Sequence, residues 1–258
     1  MAVITGGGRG IGRAVALAYA REGAAVAIAS RTRRAVEQVA AEAALEGGRA
    51  LAFSAYVTDE AAVGRLVDGA VAAFGRCDIL VNAAGVPGPV AAVADLTLAE
   101  WEGGIRGNLT GTFLCCRAVI PHMRRQGGGC ILNVASGLAV HPLPGISAYG
   151  AAKAAVIQFS RVLAEEEGSN ALRVFAVHPG VVRTAILEAL FGAGDARAPA
   201  AVRDRVQALE ASGELVTPEQ SARLFVYLAT DAAGDLANQF VRYDDPAIQA
   251  RLANFFSS

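Results

Sequence analysis

The chain has 258 residues, 53% hydrophobic and 18% charged, with 23 Lys plus Arg against 24 Asp plus Glu and a formal net charge of −1. That length and apolar content supply a real core and exclude a disordered chain. The balanced charge, with pI ≈ 6.3, excludes the basic footprint of a nucleic-acid binder.

In chain order the pattern predicts strand Ala2–Thr5, helix Gly10–Glu22, strand Ala25–Ala29, helix Arg33–Glu46, strand Ala50–Phe53, helix Asp59–Phe74 and strand Ile79–Asn82. A Pro/Gly loop at Pro87–Pro89 precedes one long helix from Trp101 to Gln126 and strand Cys130–Val134. Helix Ala148–Glu167, strand Arg173–Val177, helix Pro218–Thr230 and a short last strand Gln239–Val241 complete the series. Short apolar runs alternating with long amphipathic ones predict an α/β fold: a single doubly wound Rossmann-type parallel sheet with helices on both faces, forming one domain over residues 1–258. Residues 184–216 break the rhythm with Gly192, Gly194 and Pro199 after a strand end, and read either as a substrate lid or as an ordinary surface insertion.

A mean hydropathy of +0.39 raises a membrane reading. The longest stretch without formal charge, Gln126–Ala152, contains Pro142, Pro144, Asn133 and His141, so no bilayer span and no membrane partner are expected. Cys77, Cys115, Cys116 and Cys130 have no C-x-x-C spacing, and the start of the chain carries no basic, cleavable leader; free thiols in a reducing, cytoplasmic setting are the expectation. His122, His141 and His178 are too scattered to form a metal site.

Thr5-Gly6-Gly7-Gly8-Arg9-Gly10-Ile11-Gly12 falls at the first strand-to-helix junction. Glycines there allow a tight turn, let backbone approach a pyrophosphate and aim a helix N-terminus at it. The pattern alone is weak; its position between strand and helix makes it a dinucleotide site. The second strand ends in Ser30-Arg31-Thr32-Arg33-Arg34, with no acidic residue between Ala24 and Val36. An NAD site calls for a carboxylate here, whereas guanidinium groups hold a 2′-phosphate. Arg31, with Ser30 and with Arg9 reaching from the glycine loop, therefore favours NADP(H) over NAD(H).

Of the 23 basic residues, 22 are arginine and one is lysine, Lys153, four residues after Tyr149. With five tyrosines in the chain, chance would place a lone lysine there about 2% of the time, and the spacing puts both side chains on one helix face. A phenol has a pKa of about 10. A neighbouring ammonium would favour the phenolate and bring it toward the working range of acid–base chemistry on an alcohol or ketone.

With these residues in view, the chain resembles the short-chain dehydrogenase/reductase family from residue 1 to about 243. The resemblance is carried by Thr5–Gly12, Asn82-Ala83-Ala84-Gly85, Asn108, Ser136, Tyr149-Gly-Ala-Ala-Lys153 and Pro179-Gly-Val-Val-Arg-Thr184, in the family's order. It implies an oxidoreductase in which Tyr149 is the general acid or base, Lys153 lowers its pKa and binds the nicotinamide ribose, Ser136 holds the substrate oxygen, and Asn108 holds a relay water. It implies that Val57, Asn82, Ala83 and Gly85 border the adenosine side of the cofactor, and that Pro179, Gly180, Val182 and Thr184 meet its nicotinamide end.

Two departures stand out: Tyr56-Val57-Thr58-Asp59 where the family has an Asp near the adenine, and Val241-Arg-Tyr-Asp-Asp-Pro246 in place of paired glycines. The candidate substrate-pocket residues Pro87, Leu138, His141, Leu143, Val181, Ile186 and Leu187 are mainly apolar, which suggests a neutral ketone or secondary alcohol as the small-molecule partner. By resemblance a homotetramer or homodimer is expected, with Leu109, Phe113, Leu114, Ala154, Ala155, Ile157 and Phe159 compatible with the interface. The alternative is a non-catalytic nucleotide-binding scaffold or sensor of the same fold, which would leave the Tyr149–Lys153 pair without a use.

Overall fold

A computed structural model describes residues 1–191, 197–213 and 215–257. Its central sheet comprises β1 (Ala2–Thr5), β2 (Val26–Ser30), β3 (Ala50–Ser54), β4 (Ile79–Asn82), β5 (Gly129–Val134), β6 (Leu172–His178) and a last strand, β9 (Phe240–Arg242). The seven lie in the order β3-β2-β1-β4-β5-β6-β9 and every pairing is parallel. A second, two-stranded sheet pairs β7 (Val181–Val182) with β8 (Leu215–Val216).

Both faces are covered, so the inner strands read as continuous apolar runs whose successive residues feed two different cores. Ala2, Ile4, Val26 and Ile28 pack against helices α1 (Gly10–Arg21), α2 (Arg33–Leu45) and α9 (Pro218–Ala229). Val3, Ala27 and Ala29, one residue out of phase, pack against α3 (Glu60–Phe74), α5 (Gly111–Arg125) and α6 (Ser147–Glu167). Helix ends follow local chemistry. Asp59 accepts the Ala62 N–H to start α3, and Thr217 with Gln220 forms a reciprocal capping box before Pro218. Reversal of strand order at the β1/β4 junction opens a crevice at the carboxyl ends of these strands.

The long helix expected over Trp101–Gln126 is divided. A first helix, α4 (Leu98–Ile105), starts earlier on a Thr97/Glu100 capping box. A turn of π-helix at Arg106–Thr110 then separates it from α5. The Asn108 amide explains the break: it donates to Gly104 O and Val86 O, both at 2.9 Å, and accepts the Val86 N–H. The insertion at 184–216 contains α7 (Ala185–Phe191), α8 (Ala200–Ser212) and β8, and the centre of the expected lid, residues 192–196, lies outside the described residues, as does residue 214. The C-terminal segment ends in α10 (Pro246–Phe255), which folds back on α9: Phe255 meets the Tyr227 ring edge-on at 5.4 Å, and Ile248 and Leu252 enter the core. All four cysteines are free and buried. No helix among the described residues is long and apolar enough to cross a membrane.

Candidate active site

A cleft of about 790 Å³ runs along the crevice. Its floor is the glycine loop, and α1 begins there after Arg9, which makes no side-chain cap, with no acidic residue in the first turn. The uncapped amides and the positive end of the helix dipole therefore face the cleft. Loop packing leaves no room for larger residues: a Cβ on Gly6, at φ +68°, would sit 2.7 Å from Ala83 backbone, and one on Gly12 would sit 2.5 Å from Gly6 O. An anion-binding N-terminus at the floor of a cleft of this size fits a dinucleotide.

Of the residues expected to hold it, Gly6, Arg9, Gly10, Ile11, Gly12, Ser30, Arg31, Val57, Ala83, Gly85 and Thr184 line the cleft. Arg9 and Arg31 stand at the Ser30 end, and among the described residues neither guanidinium has a carboxylate partner. The neighbouring Arg33 does, pairing with Glu37 at 2.7 Å. Among the described residues, Glu188 on α7 is the single carboxylate in the cleft lining. Tyr56 also lines the cleft, where the family pattern has an acid, whereas Asp59 is occupied as the α3 cap.

Asn82 does not reach the cleft. Its amide is buried beneath the floor, donating to Asn133 Oδ1 at 2.9 Å, and Asn133 donates in turn to Ser160 Oγ at 2.9 Å. Ser160 donates to Val156 O, so a buried chain ties β4 through β5 to α6. Sequence reading missed Asn133 and Ser160. It also missed Arg106 and Arg183, which line the cleft with no carboxylate partner among the described residues. No local motif marks Asn133, Ser160 or Arg106; Arg183 stands inside the Pro179–Thr184 motif but is given no role there.

Tyr149 and Lys153, near the start of α6, lie beside the cleft but beneath its lining. Tyr149 is 8% exposed and packs with Val90, Ile146, Leu190, Val202 and Leu209. Of the expected substrate-pocket residues, Leu138, Leu143, Val181, Ile186 and Leu187 join this apolar cluster. Pro87 does not, and His141 lies instead against Arg242. Pro179, Gly180 and Val182 are outside the cleft lining; Pro179 O accepts the Ser221 hydroxyl at 2.9 Å, and Val182 is buried.

Lys153 is buried, with Nζ donating to Val134 O at the end of β5 at 2.7 Å and standing 5.8 Å from the Tyr149 ring centroid. Burial pulls its ammonium down to about 8. Burial also pushes the Tyr149 phenol up to about 12, against a hydrogen bond with Ser136 that lowers it. Desolvation is the larger influence on the phenol, and Ser136 is the group that opposes it. Ser136, at the end of the β5 strand, also accepts the Leu138 N–H at 3.2 Å.

The family model described as short chain dehydrogenase matches residues 1–193. D-threitol dehydrogenase of Mycolicibacterium smegmatis is 38% identical over 233 residues, 90% of this chain and 86% of that protein. Among solved structures, levodione reductase superposes with a TM-score of 0.86 at 29% identity, covering 96% of this chain and 97% of its own. A 7α-hydroxysteroid dehydrogenase complexed with NADH and 7-oxo glycochenodeoxycholic acid gives 0.83 at 29%, covering 93% and 91%. With its seven-stranded parallel sheet, its glycine-loop cleft and these relatives, the chain belongs to the short-chain dehydrogenase/reductase family of NAD(P)-dependent oxidoreductases.

Proposed function

We propose that the protein, acting as one domain, transfers hydride between NADP(H) and a neutral ketone or secondary alcohol, with Tyr149 as general acid and base. The observation that carries this reading is the convergence of Tyr149, the neighbouring Ser136 and the chain's one lysine beside a cleft that ends in two arginines without carboxylate partners among the described residues.

The residues fit NADP(H) along the cleft: the glycine loop under the pyrophosphate, Arg9 and Arg31 on a 2′-phosphate, Thr184 near the nicotinamide end. The cofactor supplies or takes the hydride. The protein's share is placement and a proton. With its phenol held at about 12, Tyr149 is protonated at neutral pH, the form needed to give a proton to a carbonyl oxygen as hydride reaches the carbon. Ser136 Oγ orients that oxygen. Lys153, with one N–H on Val134 O, has two further donors for the ribose. Asn108, buried in the π turn packed on α6, holds the water that returns the proton. The cluster of Leu138, Leu143, Ile186 and Leu187 around Tyr149 favours a neutral, largely apolar substrate.

Titration with NADPH and NADH side by side, followed by a panel of cyclic and acyclic ketones monitored at about 340 nm through reduced-nicotinamide absorbance, tests this. Tighter NADPH binding and turnover that disappears in Tyr149→Phe, with NADPH affinity retained, are expected. Preference for NADH would refute the phosphate assignment, and an active Tyr149→Phe would refute the acid–base assignment.

A further inference from the structure

The C-terminal departure from the family pattern, Arg242-Tyr243-Asp244, has no part in the chemistry above, yet it grips both loops that flank Ser136. The Tyr243 N–H donates to the His178 carbonyl at 2.9 Å. The Tyr243 ring lies against Gly180, its Cδ1 3.0 Å from where a Cβ would stand. Arg242 donates twice to the Asp244 carboxylate, at 3.0 and 2.7 Å, and its remaining terminal nitrogen stands 3.3 Å from His141 Nε2. His141 follows the short turn at Gly137–Ala139 that Ser136 caps.

His178 sits between these loops with its side chain buried. Its Nδ1 accepts the Gly137 N–H at 3.1 Å, which places the ring proton on Nε2. Gly137 is pressed against the imidazole so closely that a Cβ would stand 3.2 Å from Nε2 and 3.3 Å from Cε1. The turn that carries Ser136 therefore has two anchors: the Ser136 hydroxyl on the Leu138 N–H, and His178 on the Gly137 N–H.

We propose that His178 is a positioning residue: by accepting the Gly137 amide, its neutral ring fixes the turn from which Ser136 Oγ reaches Tyr149, and the Arg242–Asp244 segment holds the ring's loop in place. The inference rests on the roles given to Ser136 and Tyr149 above. The charged and titratable groups that act on His178 are Asp244, Arg242 and His141, and burial holds the imidazole down to about 4. The lone pair on Nδ1 is thus kept throughout the neutral range, where a protonated ring would set two donors face to face.

The test pairs His178→Asn, which retains an acceptor, with His178→Leu, which has none, each alone and combined with Ser136→Ala. For each variant kcat and KM are measured with NADPH and the panel ketone that the wild-type protein reduces fastest, together with NADPH affinity and the urea midpoint. We expect His178→Leu to lower kcat by about tenfold or more while NADPH affinity stays within about twofold, and His178→Asn to recover kcat to within about threefold of wild type. Adding His178→Leu to Ser136→Ala should cost little more than Ser136→Ala alone, because both act on one hydroxyl. A purely structural role would move the urea midpoint and leave kcat untouched. The proposal is overturned by a His178→Leu enzyme with normal kcat, by an Asn variant no better than Leu, or by losses that multiply independently with Ser136→Ala. Full activity in Ser136→Ala would instead remove the reading on which the inference stands, and the inference with it.

Discussion

Replacing Lys153 by Met keeps the apolar stem and removes a buried ammonium, and the structure gives the consequence at each pH. The side chain is 4% exposed, and Nζ makes a hydrogen bond to Val134 O. Burial takes its pKa from 10.5 down to about 8. A base whose folded pKa lies below its unfolded value loses its proton first in the folded state. Between pH 8 and 10.5 the unfolded chain therefore binds more protons, and wild-type stability rises with pH through that window. Below pH 8 the cost of the buried charge is present in full, on the order of 3 kcal/mol at about 1.4 kcal/mol per tenfold change. Methionine carries no such cost, although it forfeits the bond to the Val134 carbonyl, a loss of about 1–3 kcal/mol. Urea midpoints of both proteins at about pH 7 and 9.5 should show Lys153→Met at least as stable as wild type at the lower pH, with its advantage shrinking by about 2 kcal/mol at the higher. The buried thiols of Cys77, Cys115 and Cys130, each pushed up to about 12, titrate in both proteins and cancel in the difference. The variant should also be inactive, since the role proposed for the ammonium lies in the chemistry and not in the fold. A difference that is independent of pH, or that grows as pH rises, would refute the assignment of a desolvated ammonium at this position.

Arg31→Asp should reverse cofactor preference, lowering kcat/KM with NADPH relative to NADH by about a hundredfold, because it sets a carboxylate against the 2′-phosphate and restores an acceptor for the ribose hydroxyls; an unchanged ratio of efficiencies would refute the clamp. Arg106→Ala and Arg183→Ala, on the cleft rims, should each weaken NADPH and NADH by a similar factor of about three to ten and lessen the salt dependence of both, since the pyrophosphate is common to the two cofactors; a change in ketone KM with unaltered cofactor affinity would assign these arginines to the substrate instead. Phe113 and Val162, 41% and 46% exposed on α5 and α6, should lie between copies of the chain, whereas Leu114 and Ile157, expected at the interface together with Phe113, are buried in the fold itself. Phe113→Glu should therefore shift light-scattering mass toward the monomer, and a wild-type protein that is already monomeric would rule this surface out.

What could be read from the residues was what local spacing encodes. The glycine loop is legible because strand, turn and helix are contiguous, and Tyr149 with Lys153 because four residues make one helical turn. A two-residue strand such as β7 has no period to detect, and its partner, Leu215↔Val181 in register, stands beyond an insertion with no pattern of its own. The break at Arg106–Thr110 was equally hidden: it depends on Asn108 bonding to Val86, 22 residues earlier. Side chains that act across the sheet escaped for the same reason. Asn82, expected at the cofactor, joins Asn133 and Ser160 in one buried chain through β4, β5 and α6, and Asn133 and Ser160 each alone read as an ordinary polar residue in an apolar run. Spacing shows that an ammonium is near a phenol and says nothing of how dry both are. Here the same burial pushes Tyr149 up to about 12 and Lys153 down to about 8, so each group is driven toward its neutral form. Ser136 opposes the upward shift of the phenol, so the contacts that hold its loop, reaching as far as Asp244, are where the proposed tuning is to be tested, and no motif announces them.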